Sequence, residues 1–197
     1  MSEPAHPALR AVFLDRDGVL NEKMPEGHYV TRWEEFRILP GVPQALARLN
    51  QAGLCVIVVS NQRGIAKGLY TAADVAAIHA NFQQQLKAHG AHIDAFFICP
   101  HDKNACNCRK PLPGLFVAAQ AQFPRITAGA SAMIGDSLSD IEFGRNLGMR
   151  TIFIQNEGNN QKPGAERAAA LAGLRCASFT EAVDALLSGN APSRAQG

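Results

Sequence analysis

Five short segments are apolar at nearly every position: AVFLD (11 to 15), LCVIVVS (54 to 60), IDAFFICP (93 to 100), ASAMIGD (130 to 136) and RTIFIQ (150 to 155). A strand with one solvated face alternates apolar and polar residues, whereas a strand covered on both faces has no polar side to show. These runs predict strands buried in a parallel sheet. Between them lie GVPQALARLNQAG, TAADVAAIHANFQQQLKAHG, PLPGLFVAAQAQF and LSDIEFGRNLG, which read as helices. Three of these segments close on Gly53, Gly90 and Gly148, residues suited to the left-handed turn past a helix end, and Thr71 with Asp74 resembles a capping start. Alternating strands and helices predict an α/β fold with a doubly wound, Rossmann-like parallel sheet.

Residues 16 to 40 break the rhythm with turn residues and scattered aromatics between the first strand and the first helix. They predict an excursion over the strand ends, where ligands bind in such folds. His28, Tyr29 and Trp33 are candidates to line a pocket there or merely to pack the loop, and Glu22 and Lys23 are further candidates to touch a ligand. Residues 1 to 190 are expected to form one domain, followed by a small, polar, disordered tail over 191 to 197.

Composition narrows the partners. The chain has 197 residues, 47% hydrophobic and 18% charged, with 19 basic and 17 acidic side chains. A net charge of +2 without a run of like charges gives no footprint for nucleic acid or an anionic membrane. No apolar run approaches the ~18 residues of a membrane span, and MSEPAHPALR lacks the apolar stretch of a secretion signal. A cytoplasmic monomer is expected, so the five cysteines are not read as a disulfide framework. Cys55 and Cys176, in or beside apolar segments, are expected as core thiols.

The polar residues at the strand ends carry the chemistry. Asp15 and Asp17 follow the first strand two positions apart, a spacing that points both carboxylates the same way in extended backbone. Asp136 and Asp140 follow the fourth strand, although Asp140 is also placed to cap the helix it opens. Carboxylates gathered at neighbouring strand ends repel one another unless a cation sits among them, and a hard divalent ion such as Mg2+ fits oxygen ligands. After the second strand, SNQRGIAKG offers Ser60, Asn61, Gln62, Arg63 and Lys67 as donors suited to phosphate oxygens, with Gly64 allowing close approach; Ser and Asn are also ordinary turn residues there. Cys99, His101, Cys106 and Cys108 supply four soft ligands, the number a tetrahedral Zn2+ requires, yet their C-x-H and C-x-C spacing is equally that of a thiol-rich loop. If a metal binds, three thiolates and an imidazole close its shell and make it structural.

In order, DRDGVLN, SNQ, Lys110 and GDSLSD resemble the four motifs of the haloacid dehalogenase (HAD) superfamily, across residues 11 to 155. The resemblance implies that Asp15 is a nucleophile toward phosphorus, that Asp17 is the general acid and base, and that Ser60 and Lys110 stabilise the transferring phosphoryl oxygens. It also implies a Mg2+ held by Asp15, Asp136 and the backbone carbonyl of Asp17. The C-x-H…C-x-C loop running into R-K-P is similar to the branch that contains the heptose bisphosphate and histidinol-phosphate phosphatases, which implies zinc on Cys99, His101, Cys106 and Cys108 and a zinc-binding loop with no large cap domain. GHYVTRWEEFRILPGV and NQRGIAKGLYT are more similar to the heptose members, implying a small phosphorylated sugar as substrate, with histidinol phosphate as the alternative. Asn61, Gln62, Arg63 and Ser137 are carried as substrate contacts, and Arg109 is assigned to the part of the substrate that is not transferred. Ser137 stands where the heptose enzymes often have lysine. Outside the enzyme class, a receiver-type phosphoacceptor shares the strand-end aspartates and lysine, but the second acid beside the first would shorten the life of its phosphoryl signal.

Overall fold

In the computed structural model, described over residues 8–155 and 163–189, the polypeptide forms a six-stranded parallel sheet of order β3-β2-β1-β4-β5-β6. The strands are β1 (Ala11–Leu14), β2 (Cys55–Asn61), β3 (Ala95–Cys99), β4 (Ser131–Gly135), β5 (Arg150–Ile154) and β6 (Leu174–Cys176). Strand order reverses between β1 and β4, so their carboxyl ends flank the crevice where this topology binds ligands.

The helices are α1 (Val42–Gln51), α2 (Arg63–Ala66), α3 (Ala72–Lys87), α4 (Gly114–Gln122), α5 (Leu138–Leu147), α6 (Ala165–Leu171) and α7 (Phe179–Gly189). Both faces are covered over β1, β2, β4 and β5, as their apolar runs require, whereas β3, expected to be buried as well, lies at the sheet edge and is only partly buried over residues 95–98. Val12, Leu14, Val56, Val58 and Ile134 pack into one core with Leu46 and Leu49 of α1, Ile78 and Phe82 of α3, and Val183 of α7. The alternate residues Phe13, Ile57, Val59 and Met133 pack into a second core with Leu115 and Phe116 of α4 and Phe143 of α5. The Thr71–Asp74 capping box is present at α3, and Gly148 takes φ 78° just past α5.

Two edges of the sequence pattern needed tertiary context. β6 has only three residues, two of them exposed, and pairs solely with β5 at the sheet edge, so it carries no buried run to detect. Cys176, at its end, is buried, whereas Cys55, at the start of β2, is only partly covered and does not behave as a full core thiol. The expected tail over 191 to 197 lies outside the described residues.

The excursion after β1 is pinned rather than loose. Asn21 bridges to both Asp17 and Ile38, the Leu39 amide donates to the Leu20 carbonyl, and Val19, Leu20, Val30 and Phe36 are buried. Trp33 stacks on Phe36 at 5.4 Å and packs against the first core, so it braces the excursion. His28 and Tyr29 instead line the cleft beyond the strand ends. Among the described residues, no helix is long and apolar enough to cross a membrane.

Candidate active site

The carboxyl ends of β1, β2 and β4 open into a cleft of about 890 Å3 whose lining includes Asp15, Asp17, Ser60, Arg109, Lys110 and Asp140. β1 delivers Asp15 and β4 delivers Asp136, and both are buried. The carboxylate oxygens of Asp15, Asp136 and Asp140 lie within 4.8 Å of one another. Three acids that close in a buried site need positive charge. Lys110 supplies part of it: Nζ donates to Asp15 Oδ1 at 2.9 Å and to the Val59 carbonyl at 2.6 Å, and pairs with Asp140 Oδ1 at 2.6 Å. Burial alone would pull the Lys110 pKa down, but Asp140 and Asp15 more than offset it and hold the ammonium charged. The clustered carboxylate oxygens of Asp15, Asp136 and Asp140 have the chemistry to hold a hard divalent cation.

Asp140 plays both parts that its position suggested. Its Oδ2 accepts from the Ser137 backbone N–H at 3.0 Å, closing a capping box at α5, while Oδ1 faces Lys110. Spacing alone found the cap. The pairing with Lys110, 30 residues away in sequence, required the fold to bring β4 beside the loop after β3. Ser137, carried as a substrate contact, donates its hydroxyl to Asp140 Oδ2.

The donors after β2 divide into two sets. Ser60 Oγ accepts from Gln62 Nε2 at 2.8 Å and stays at the cleft lining, where its own proton can be donated to a ligand. Asn61 and Gln62, expected on the substrate, have their amides committed within the protein. Asn61 Oδ1 accepts from the Lys110 backbone N–H at 3.0 Å, and its Nδ2 donates to the Lys110 carbonyl at 3.2 Å. Gln62 Nε2 also donates to Asp17 Oδ2 at 3.2 Å, and its Oε1 accepts from the Tyr70 hydroxyl at 2.7 Å. Arg63 sits on the cleft wall in a salt bridge to Asp102.

Cys99, His101, Cys106 and Cys108 converge. Neighbouring ligand atoms are 3.3 to 3.8 Å apart, and a tetrahedron with Zn–S bonds near 2.3 Å has edges of about 3.8 Å. Burial pushes the Cys108 thiol up to about 12, with the Cys99 and Cys106 thiols adding to the rise. Cys106 is drawn the other way, to about 7, because the Arg109 backbone N–H and the neighbouring thiols offset the cost of burial. Thiolates this close need a cation to coexist, so the donor set fits zinc. The loop seats on α4 through Gly114, where a Cβ would come within 2.7 Å of the Asn107 carbonyl. Arg109 follows on the cleft wall, and its Nη1 is buried without a hydrogen-bond partner.

A profile described as HAD-hydrolase-like matches residues 107–182. The D-glycero-alpha-D-manno-heptose-1,7-bisphosphate 7-phosphatase of Mycobacterium tuberculosis is 43% identical over 137 residues, 69% of this chain and 72% of the relative. The chain belongs to the HAD-like phosphatases. As a HAD-like phosphatase it is a phosphoric monoester hydrolase. The D-glycero-beta-D-manno-heptose-1,7-bisphosphate 7-phosphatase of Bordetella bronchiseptica is 38% identical over 155 residues, 78% of this chain and 84% of the relative. The crystal structure of D,D-heptose 1,7-bisphosphate phosphatase from B. bronchiseptica in complex with magnesium and phosphate superposes with a TM-score of 0.78 at 31% identity, covering 91% of this chain and 99% of that one.

The sequence reading of this HAD-like site missed Arg16, Asn21, Tyr70 and His79. Only Arg16 left a signal. It continues the Val12, Leu14 alternation of β1 toward the first core, an odd place for a cation, and its side chain is 1% exposed.

Proposed function

We propose that the protein hydrolyses the 7-phosphate of D-glycero-D-manno-heptose 1,7-bisphosphate through an aspartyl-phosphate on Asp15. The observation that carries the reading is the buried Asp15–Lys110–Asp140 cluster beside Asp136 at the reversal of strand order, opening to a cleft that Arg109 helps to line. Relatives named for heptose bisphosphate support the choice of sugar.

In the first half reaction an Asp15 carboxylate oxygen bonds to phosphorus, the bond from phosphorus to the sugar oxygen breaks, and the Asp17 carboxyl passes its proton to the departing alkoxide. In the second, water attacks the aspartyl-phosphate while Asp17 takes its proton, releasing phosphate and restoring Asp15. Ser60 and Lys110 donate to the phosphoryl oxygens as charge builds on them. Asp15, Asp136 and the Asp17 carbonyl would hold Mg2+, which supplies positive charge between nucleophile and phosphate. Cys99, His101, Cys106 and Cys108 would hold a structural Zn2+ that fixes the loop bearing Arg109 and Lys110. The reaction suits a cytoplasmic monomer, with all its groups on one chain.

Arg109 is assigned to the 1-phosphate or the hydroxyls of the retained sugar. Arg109→Ala is expected to lower kcat/KM by about 10- to 100-fold, mostly through KM, the worth of one or two hydrogen bonds to a charged group. Arg109→Lys should restore it only in part, because an ammonium does not reproduce the planar fork. A selective loss of kcat would reassign the residue to the reacting phosphate. Cys108→Ser should lower bound zinc and cost about 10- to 100-fold in activity. Full activity after verified zinc removal would make the clip dispensable.

The reading as a whole is tested by specificity constants on both anomers of heptose 1,7-bisphosphate, on heptose 7-phosphate and on histidinol phosphate. A bisphosphate preference supports it, and a preference for histidinol phosphate overturns it.

A further inference from the structure

Among the described residues, Arg16 is the largest fully buried side chain. An apolar residue would fill the same space without desolvating a guanidinium, so its partners matter. Its Nε and Nη2 face both oxygens of Asp17 at 2.9 to 3.3 Å. Its Nη1 lies 3.5 Å from Nε2 of His79, and its Cζ lies 5.7 Å from the Phe36 ring centroid.

His79 is itself fixed. It projects from α3, is 7% exposed, and stacks on Phe96 with centroids 4.2 Å apart and planes at 16°. Burial and the neighbouring guanidinium push its pKa down to about 3. The ring is therefore neutral, and with Arg16 donating to Nε2 the proton sits on Nδ1.

Asp17 is held from the remaining sides as well. Asn21 Nδ2 donates to Oδ1 at 3.0 Å and Gln62 Nε2 to Oδ2 at 3.2 Å, with the Gln62 amide oriented by Tyr70. The Asp17 side chain keeps 29% exposure at the cleft. Because Nη2 is 2.9 Å from both oxygens, at least one acceptor stays bound when either oxygen carries a proton.

We propose that Arg16, oriented by His79, is a positioning residue that aims the Asp17 carboxyl at the leaving oxygen of the substrate. The inference rests on the reading of Asp17 as general acid and base. It assigns a kinetic task to two buried residues, Arg16 beside Asp17 and His79 behind it on α3.

The test uses kcat/KM, which reports the enzyme up to formation of the aspartyl-phosphate, on two monoesters: a sugar phosphate, whose alkoxide needs a proton to leave, and 4-nitrophenyl phosphate, whose phenolate does not. Arg16→Gln is expected to lose about 100-fold on the sugar phosphate and no more than about threefold on the nitrophenyl ester. The ratio of the two constants is independent of the fraction folded, so a destabilised variant remains informative. Equal losses on both esters would reduce Arg16 to a structural residue and overturn the proposal. If Arg16→Gln yields no folded protein, His79→Phe keeps the ring on Phe96 and removes the acceptor. It should shift the ratio in the same direction, with His79→Gln restoring it, and a wild-type ratio in His79→Phe overturns the assignment. Asp17→Asn measured alongside separates the two layers. Without leaving-group dependence in that variant, the acid–base reading itself fails; with it there and absent from Arg16→Gln, only the positioning role fails.

Discussion

Asp15→Asn is expected to abolish steady-state phosphate release, by about 10⁴-fold or more, the scale on which removal of a covalent nucleophile acts. The fold should survive. Lys110 keeps its pairing with Asp140, and one negative charge is removed from a site where three carboxylates crowd within 4.8 Å. The melting temperature should hold or rise. Acid quench of the wild-type enzyme during turnover should trap a labile phosphoryl group that is absent from the variant. Activity within tenfold of wild type would remove Asp15 from the chemistry.

Lys110→Met is expected to damage both stability and activity. The ammonium is fully buried between Asp15 and Asp140, and removing it takes away the cation that these two buried carboxylates share. Breaking a buried pair by deleting one partner costs about 3–5 kcal/mol, on the order of 10 °C in melting temperature for a chain of this size. Added Mg2+ should recover part of that loss, because a cation among the same oxygens relieves the same repulsion. Asp140→Asn in the Lys110→Met background should recover stability as well, while activity stays low for want of a donor to the phosphoryl oxygens. Unchanged melting without Mg2+ would mean that the trio is not ionised as described.

These expectations depend on features of unequal visibility in the sequence. Strands buried on both faces announce themselves by continuous apolar runs, and the glycines and capping residues at helix ends follow from local backbone geometry. That local character made β1 to β5, the helices α1, α3, α4 and α5 and the acids at the strand tips legible, whereas α2, α6 and α7 went unread. β6 was not, since an edge strand of three residues with two exposed needs its neighbour to exist. The commitments of Asn61 and Gln62 were hidden for a related reason. A polar residue after a strand has the same local pattern whether its amide meets a ligand or a backbone, and the choice depends on Lys110 and Tyr70, which arrive through other loops. Arg16 shows the reverse case: the period of β1 pointed it inward, but its value depends on His79, 63 positions later.

The double hydrogen bond between Asn61 and the backbone of Lys110 has a consequence for how this loop can change over time. Lys110 is gripped by the sheet through Asn61 and stands two positions past Cys108, so an insertion between Cys108 and Lys110 would pull the ammonium away from Asp15 and Asp140. Residues 102 to 105 lie within the cysteine–histidine cluster, between His101 and Cys106, where Lys103 and Asn104 form part of the cleft rim. They can lengthen, shorten or exchange side chains with both ends of their span still tied down. The rim of the cleft is thereby uncoupled from its floor, and on the proposed function a change of substrate could be met at the first without re-solving the second.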